Sequence, residues 1–111
     1  LSLDFVGVTG QIPEEIGMLT TLQRLSIRSN GPGTPTLSGS IPDSIGELTD
    51  MQTVRLTDNE IGGTIPSSLG RMTNAQVFML TGNSLGGQIP TELGQINGGT
   101  LALDSNELTG S

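Results

Sequence analysis

One pattern returns along this chain at intervals of 29, 24 and 23 residues, and that recurrence constrains the fold more than any single residue. Its clearest copy runs from Met51 to Gly70, with apolar residues at places one, four, six and eleven, Asn59 at place nine, and Ile65-Pro66 followed by Gly70. Copies begin at Leu22, Met51, Ala75 and Gly98, after a partial first copy. Place four reads Leu1, Leu25, Val54, Phe78 and Leu101, and place six reads Leu3, Ile27, Leu56, Leu80 and Leu103. Place nine reads Val6, Asn30, Asn59, Asn83 and Asn106. An Ile-Pro pair recurs at Ile12-Pro13, Ile41-Pro42, Ile65-Pro66 and Ile89-Pro90. A repeat of this period makes the chain a stack of like coils, each resting on its neighbours and presenting the same outer surface. The coils are residues 1–21, 22–50, 51–74, 75–97 and 98–111.

Places four and six lie two apart, so on a strand their side chains share one face, and places three, five and seven face the other way. A buried Leu or Ile contributes roughly 1.5–3 kcal/mol. One coil has no second layer of its own, so that burial is supplied by the coils on either side. Each Pro suits the start of a helical turn because it has no N–H to leave unpaired. The glycines four residues later, Gly17, Gly46, Gly70 and Gly94, are read as places with positive φ. At place nine the backbone turns inward. An Asn amide can donate two hydrogen bonds and accept others there, so Asn30, Asn59, Asn83 and Asn106 form a structural ladder joining adjacent coils. Val6 breaks the ladder in the first copy.

These residues resemble the plant-type leucine-rich repeat, over essentially the whole chain. The resemblance implies an α/β solenoid, a right-handed arc with a parallel β-sheet on its concave face and 3₁₀ or irregular turns on its convex face. It also implies a recognition scaffold, extracellular or at the cell surface, inside a longer receptor-like or secreted protein. Both ends then read as truncated, since neither carries a capping repeat and family cysteines generally sit in such caps. The chain contains no Cys, so disulfides give no information about its compartment. It also has no N-x-Ser/Thr sequon and no apolar run near the 18–20 residues of a membrane span.

The residue inventory excludes most chemistry. There is no His, Cys, Lys, Tyr or Trp, which removes the usual metal ligands other than carboxylates and most nucleophile–base pairs. A carboxylate pair is the remaining option, but Asp4 and Asp104 lie four coils apart, roughly 19 Å, against the 5–9.5 Å of a glycosidase pair. No catalytic residue, metal or cofactor is expected. The net charge of −7 repels phosphate and anionic membrane surfaces, and two Phe residues cannot form a stacking platform. Nucleic acid and direct membrane contact are therefore not expected.

The charge is unevenly placed. On the strand side, Arg24, Arg28 and Arg55 balance Asp4, Asp58 and Asp104, so the whole acidic excess lies on the convex side and rims. The candidate ligand-binding residues are Arg24, Arg28 and Arg55, suited to planar carboxylates, with Val77 and Met79 as an adjoining apolar patch. Two duller readings stand beside this one. Arg28 and Asp4, at place seven of adjacent coils, can simply pair with each other, and Val77 and Met79 can be ordinary surface. Phe5, at place eight, is read as covering the exposed end of the stack. The second copy carries five extra residues after Asn30, either a neutral bulge or part of a binding rim. The expected partner is a peptide, protein or glycan. The alternative is a structural or adhesive array without a discrete ligand. A minor third reading is ice binding through the threonine row Thr20, Thr49 and Thr73, which Asn97 interrupts.

Overall fold

The computed structural model describes residues 1–29, 31, 33–34, 36–95 and 100–109. Asn30, the first rung of the expected ladder, lies outside the described residues, as does Asn97. Among the described residues nine short strands follow one another: β1 (Ser2–Val6), β2 (Gly10–Gln11), β3 (Arg24–Arg28), β4 (Leu37–Ser38), β5 (Thr53–Arg55), β6 (Val77–Met79), β7 (Gly86–Gln88), β8 (Thr100–Ala102) and β9 (Glu107–Thr109). One strand per coil enters a five-stranded parallel sheet in the order β1-β3-β5-β6-β8. The remaining strands form two small parallel ladders, β2 with β4 and β7 with β9. Among the described residues four 3₁₀ turns, Glu14–Met18, Asp43–Glu47, Ser67–Arg71 and Thr91–Gln95, stack one on the next along the opposite wall.

The dry interior lies between these two walls. Leu25, Val54 and Phe78 at place four, and Ile27, Leu56 and Leu80 at place six, are all buried. They meet Leu22, Met51 and Ala75 from place one and Leu37, Ile61 and Leu85 from place eleven in one continuous cluster. β-Branched and aromatic residues in this set favour the pleated, half-buried geometry of a short strand. Pro13, Pro42 and Pro66 sit in extended conformation immediately before their 3₁₀ turns, with φ of −74°, −70° and −68°. The fixed φ of proline starts each turn in the same place.

Two sequence expectations are corrected. The first concerns coil 1. Ser2, Leu3, Asp4, Phe5 and Val6 pair with Arg24, Leu25, Ser26, Ile27 and Arg28, so Leu3 occupies place four and Phe5 place six. Leu1 is not a core residue and is 57% exposed, Asp4 lies at place five, and Val6 is an exposed place-seven residue and no member of the asparagine row. Counting back from Ile12-Pro13 misplaces this strand by two residues because coil 1 is shorter after its strand than coils 3 and 4.

The second concerns the glycines after proline. Gly17, Gly46 and Gly70 do not adopt positive φ; they sit where a Cβ would come within 2.5–2.6 Å of the carbonyl oxygen of Ser44, Ser68 and Glu92 on the next coil. They are small because successive turns touch backbone to backbone. Ser44 and Ser68 tighten the contact by donating from Oγ to the carbonyls of Glu14 and Asp43, at 2.7 and 2.8 Å.

Candidate functional site

The five-stranded sheet turns its places three, five and seven away from the core. In β3 the alternation is plain: Arg24 and Arg28 are exposed, Ser26 is half-buried, and Leu25 and Ile27 between them are buried. Strand pairing then lines these positions up across coils. Place three reads Ser2, Arg24, Thr53, Val77 and Thr100, and place five reads Asp4, Ser26, Arg55, Met79 and Ala102. The wall therefore has a cationic part on coils 2 and 3 and an apolar part on coil 4, where Val77 and Met79 are half-buried.

The cationic part forms a concavity of about 560 Å³ lined by Arg24, Arg28 and Arg55 together with Ser2, Asp4, Ser26 and Thr53. Arg28 approaches Asp4 at 3.6 Å, with both side chains about 60% exposed. An ion pair this open to water contributes about 0–1 kcal/mol and yields readily to a competing anion. The pair forms diagonally, since Asp4 is opposite Ser26 and not opposite Arg28. Among the described residues, Arg24 and Arg55 have neither an ion-pair nor a side-chain hydrogen-bond partner. Two unpaired guanidinium groups and a weakly held third are equipped to receive a planar anion such as a carboxylate. The same residues offer no nucleophile–base arrangement. Among the described residues no three His, Cys, Asp or Glu side chains are grouped so as to hold a metal, and no helix is long and apolar enough to cross a membrane.

Behind this wall runs the asparagine row. Asn59 donates from Nδ2 to the carbonyls of Ile27 (2.9 Å), Leu56 (3.1 Å) and Thr57 (3.3 Å), and its Oδ1 accepts from the Leu37 amide at 3.3 Å. Asn83 repeats the arrangement one coil on, donating to Leu56 O (2.8 Å) and Leu80 O (3.0 Å) and accepting from Ile61 N (3.1 Å). Asn106 does the same with Leu80 O, Leu103 O and Leu85 N, at 2.8, 3.0 and 3.0 Å. Each amide joins its own turn to the coil before it and fixes the strand carrying the outward residues. Asn59 and Asn83 are buried, and Asn106 is half-buried.

Two carboxylates on this wall escaped the sequence reading as site residues. Asp58 holds a left-handed conformation at φ 59°, and its Oδ1 occupies the space that a Cβ on Gly82 would need. Asp104 accepts a hydrogen bond from Thr81 Oγ1 at 2.9 Å. One leans forward and the other back, and both arrive at the Thr81-Gly82 step of coil 4. The only sequence signal was the glycine that follows Asp58 at place eight of the next coil.

A stack of short strands, asparagine rungs and 3₁₀ turns, open along one sheet face, defines a repeat-built scaffold. Fold and repeat together make this a leucine-rich-repeat array of the plant type. The Leucine Rich Repeat family matches directly over residues 50–72, the copy with the fullest pattern. No curated protein sequence matches the chain. Among solved structures, the BIR3–SERK2 complex from Arabidopsis thaliana is 31% identical over 97% of this chain and 57% of that chain, with a TM-score of 0.84. The Arabidopsis receptor kinase HAESA, in complex with the peptide hormone IDA and the co-receptor SERK1, is 27% identical over 97% of this chain and 18% of that one (TM-score 0.83). A plant ice-binding protein is 30% identical over 96% of this chain and 34% of its own (TM-score 0.85). The chain thus spans between about one-fifth and three-fifths of the lengths of these relatives.

Proposed function

We propose that this chain is a non-catalytic recognition segment that binds a peptide or protein ligand on its concave sheet face, outside the cell. The observation that carries the proposal is the pair of guanidinium groups, Arg24 and Arg55, that have no partner among the described residues and are set in an open concavity beside the apolar Val77 and Met79. An acidic group of the ligand, a side-chain or terminal carboxylate, is received by Arg24, Arg28 and Arg55, and an apolar group rests on coil 4. A glycan carrying a carboxylate fits the same chemistry. The similarity to HAESA, crystallised with a peptide hormone and a co-receptor, supports an extracellular peptide-binding role. The test is binding of acidic peptides to the wild type and to the Arg28→Glu/Arg55→Glu double variant. Binding falls steeply in the variant while the melting temperature stays within a few degrees, because both side chains are exposed. Unchanged binding would refute the assignment.

One observation favours a second reading. Thr20, Thr49 and Thr73 are exposed at the same place of three successive coils, and one similar structure is an ice-binding protein. Inhibition of ice recrystallisation by the chain, lost in Thr49→Lys, would select that reading over the first.

A further inference from the structure

The outward sheet face is polar in the electrical sense, and its two ends are arranged along one diagonal. Arg24 at place three of coil 2 and Arg55 at place five of coil 3 mark its cationic end. Continuing by one strand and two residues reaches Thr81, at place seven of coil 4. That step is flanked by Asp104, hydrogen-bonded to Thr81 Oγ1 at 2.9 Å, and by Asp58, whose carboxylate lies against Gly82. Met79 stands beside the middle of the diagonal and is half-buried. The face thus runs from unpaired cations, past an apolar side chain, to two exposed carboxylates.

Strands lie about 4.8 Å apart and rise about 3.3 Å per residue. From the midpoint of Arg24 and Arg55 to Thr81 is one and a half strands and three residues, a diagonal of about 12 Å. In an extended peptide, residues i, i+2 and i+4 project from one side, and i to i+4 spans about 13 Å. We infer that the occupant of this face is an extended peptide segment with an acidic residue at i, an apolar residue at i+2 and a basic residue at i+4. The acidic group sits at Arg24 and Arg55, the apolar group on Met79, and the basic group between Asp58 and Asp104. This rests on the concave-face reading above and adds to it a second, opposite charge and a fixed spacing. A ligand without the basic residue leaves the two carboxylates facing solvent and gains nothing from that end. Complementary charge at both ends also fixes the orientation of the ligand on the sheet.

The test uses a blocked heptapeptide, acetyl-Ser-Asp-Ser-Leu-Ser-Arg-Ser-amide, so that no terminal carboxylate contributes. It is compared by calorimetric or NMR titration with the same peptide carrying Gln for Arg, and with one carrying Arg directly after Asp. The spaced peptide binds about fivefold more tightly than either control, the size of one exposed charge pair. Asp58→Asn/Asp104→Asn removes that advantage and leaves the Gln peptide unaffected. Asn tolerates the left-handed backbone at position 58 and keeps an acceptor for Thr81, so this variant preserves the fold. Equal binding of all three peptides, still weakened by Arg55→Glu, overturns the dipolar inference while the concave-face reading stands. Peptide binding indifferent to Arg55→Glu overturns both. Self-association of the chain that Arg55→Glu abolishes makes a second copy the occupant and likewise overturns the inference.

Discussion

Replacing Asn59 by Ala tests how the coils are joined. The amide makes three donor contacts and one acceptor contact, and two of these, to Ile27 O at 2.9 Å and from Leu37 N at 3.3 Å, cross to coil 2. Position 59 is only 6% exposed, so water does not readily replace the amide. Each buried polar group left without its partner costs about 1–3 kcal/mol, and two such groups give about 2–6 kcal/mol. For a chain of this size, that loss corresponds to a fall in Tm of roughly 10–25 °C. Urea and thermal unfolding followed by circular dichroism measure it. Asn106→Ala is the internal control: its amide makes similar bonds but is half-buried, so its loss costs nearer 1 kcal/mol. Asn59→Asp keeps the acceptor for Leu37 but turns a carboxylate toward three carbonyl oxygens, and at neutral pH it is less stable than the Ala variant. A cost for Asn59→Ala within about 0.5 kcal/mol of zero would refute the reasoning.

Further tests address the core, the turns and the register. Leu56→Ala, at a fully buried place-six position, costs about 2–5 kcal/mol in urea unfolding, and tolerance of the change would mean the strand faces the other way. Gly46→Ala drives a methyl to 2.5 Å from Ser68 O and lowers stability by about 1–3 kcal/mol; a neutral or stabilising result would show that the convex turns are not in tight contact. Leu1→Ala changes stability by less than about 0.5 kcal/mol, whereas Leu3→Ala is measurably destabilising because Leu3 packs against the core. The opposite order would restore the register counted from Ile12-Pro13. Deleting residues 31–35 leaves Leu37 free to bond Asn59 and preserves the folded spectrum, and loss of that spectrum would make the insertion structural.

Coils 2 to 4 were legible because four kinds of signal agree in each: paired apolar residues at places four and six, asparagine at nine, Ile-Pro, and glycine. Coil 1 offers fewer. Leu1, Leu3 and Phe5 are apolar at period two and share one face, so either neighbouring pair can take places four and six, and alternation alone cannot choose. Strand pairing with β3 chooses Leu3 and Phe5 and leaves Leu1 in water. The role of Gly17, Gly46 and Gly70 was illegible for a different reason. The demand on them comes from the carbonyl of a residue 22 to 27 positions later, and no local rule contains that distance. The outward placement of Arg24, Arg55, Val77 and Met79 followed directly from their odd places. The lean of Asp58 and Asp104 did not, because it depends on the empty space over Gly82 and the hydroxyl of Thr81.

Along each strand one residue enters the dry interior and the next faces outward from the sheet. The chain has no cysteine, so single-thiol variants report exposure without background. Val54→Cys, Arg55→Cys and Leu56→Cys place a thiol at three consecutive positions of the middle coil, and labelling by a maleimide under native conditions gives three rates. The thiol at position 55 reacts nearly as fast as in urea, and those at 54 and 56 react about a hundredfold more slowly or less, limited by local opening. Labelling at 54 or 56 as fast as at 55 would contradict the account.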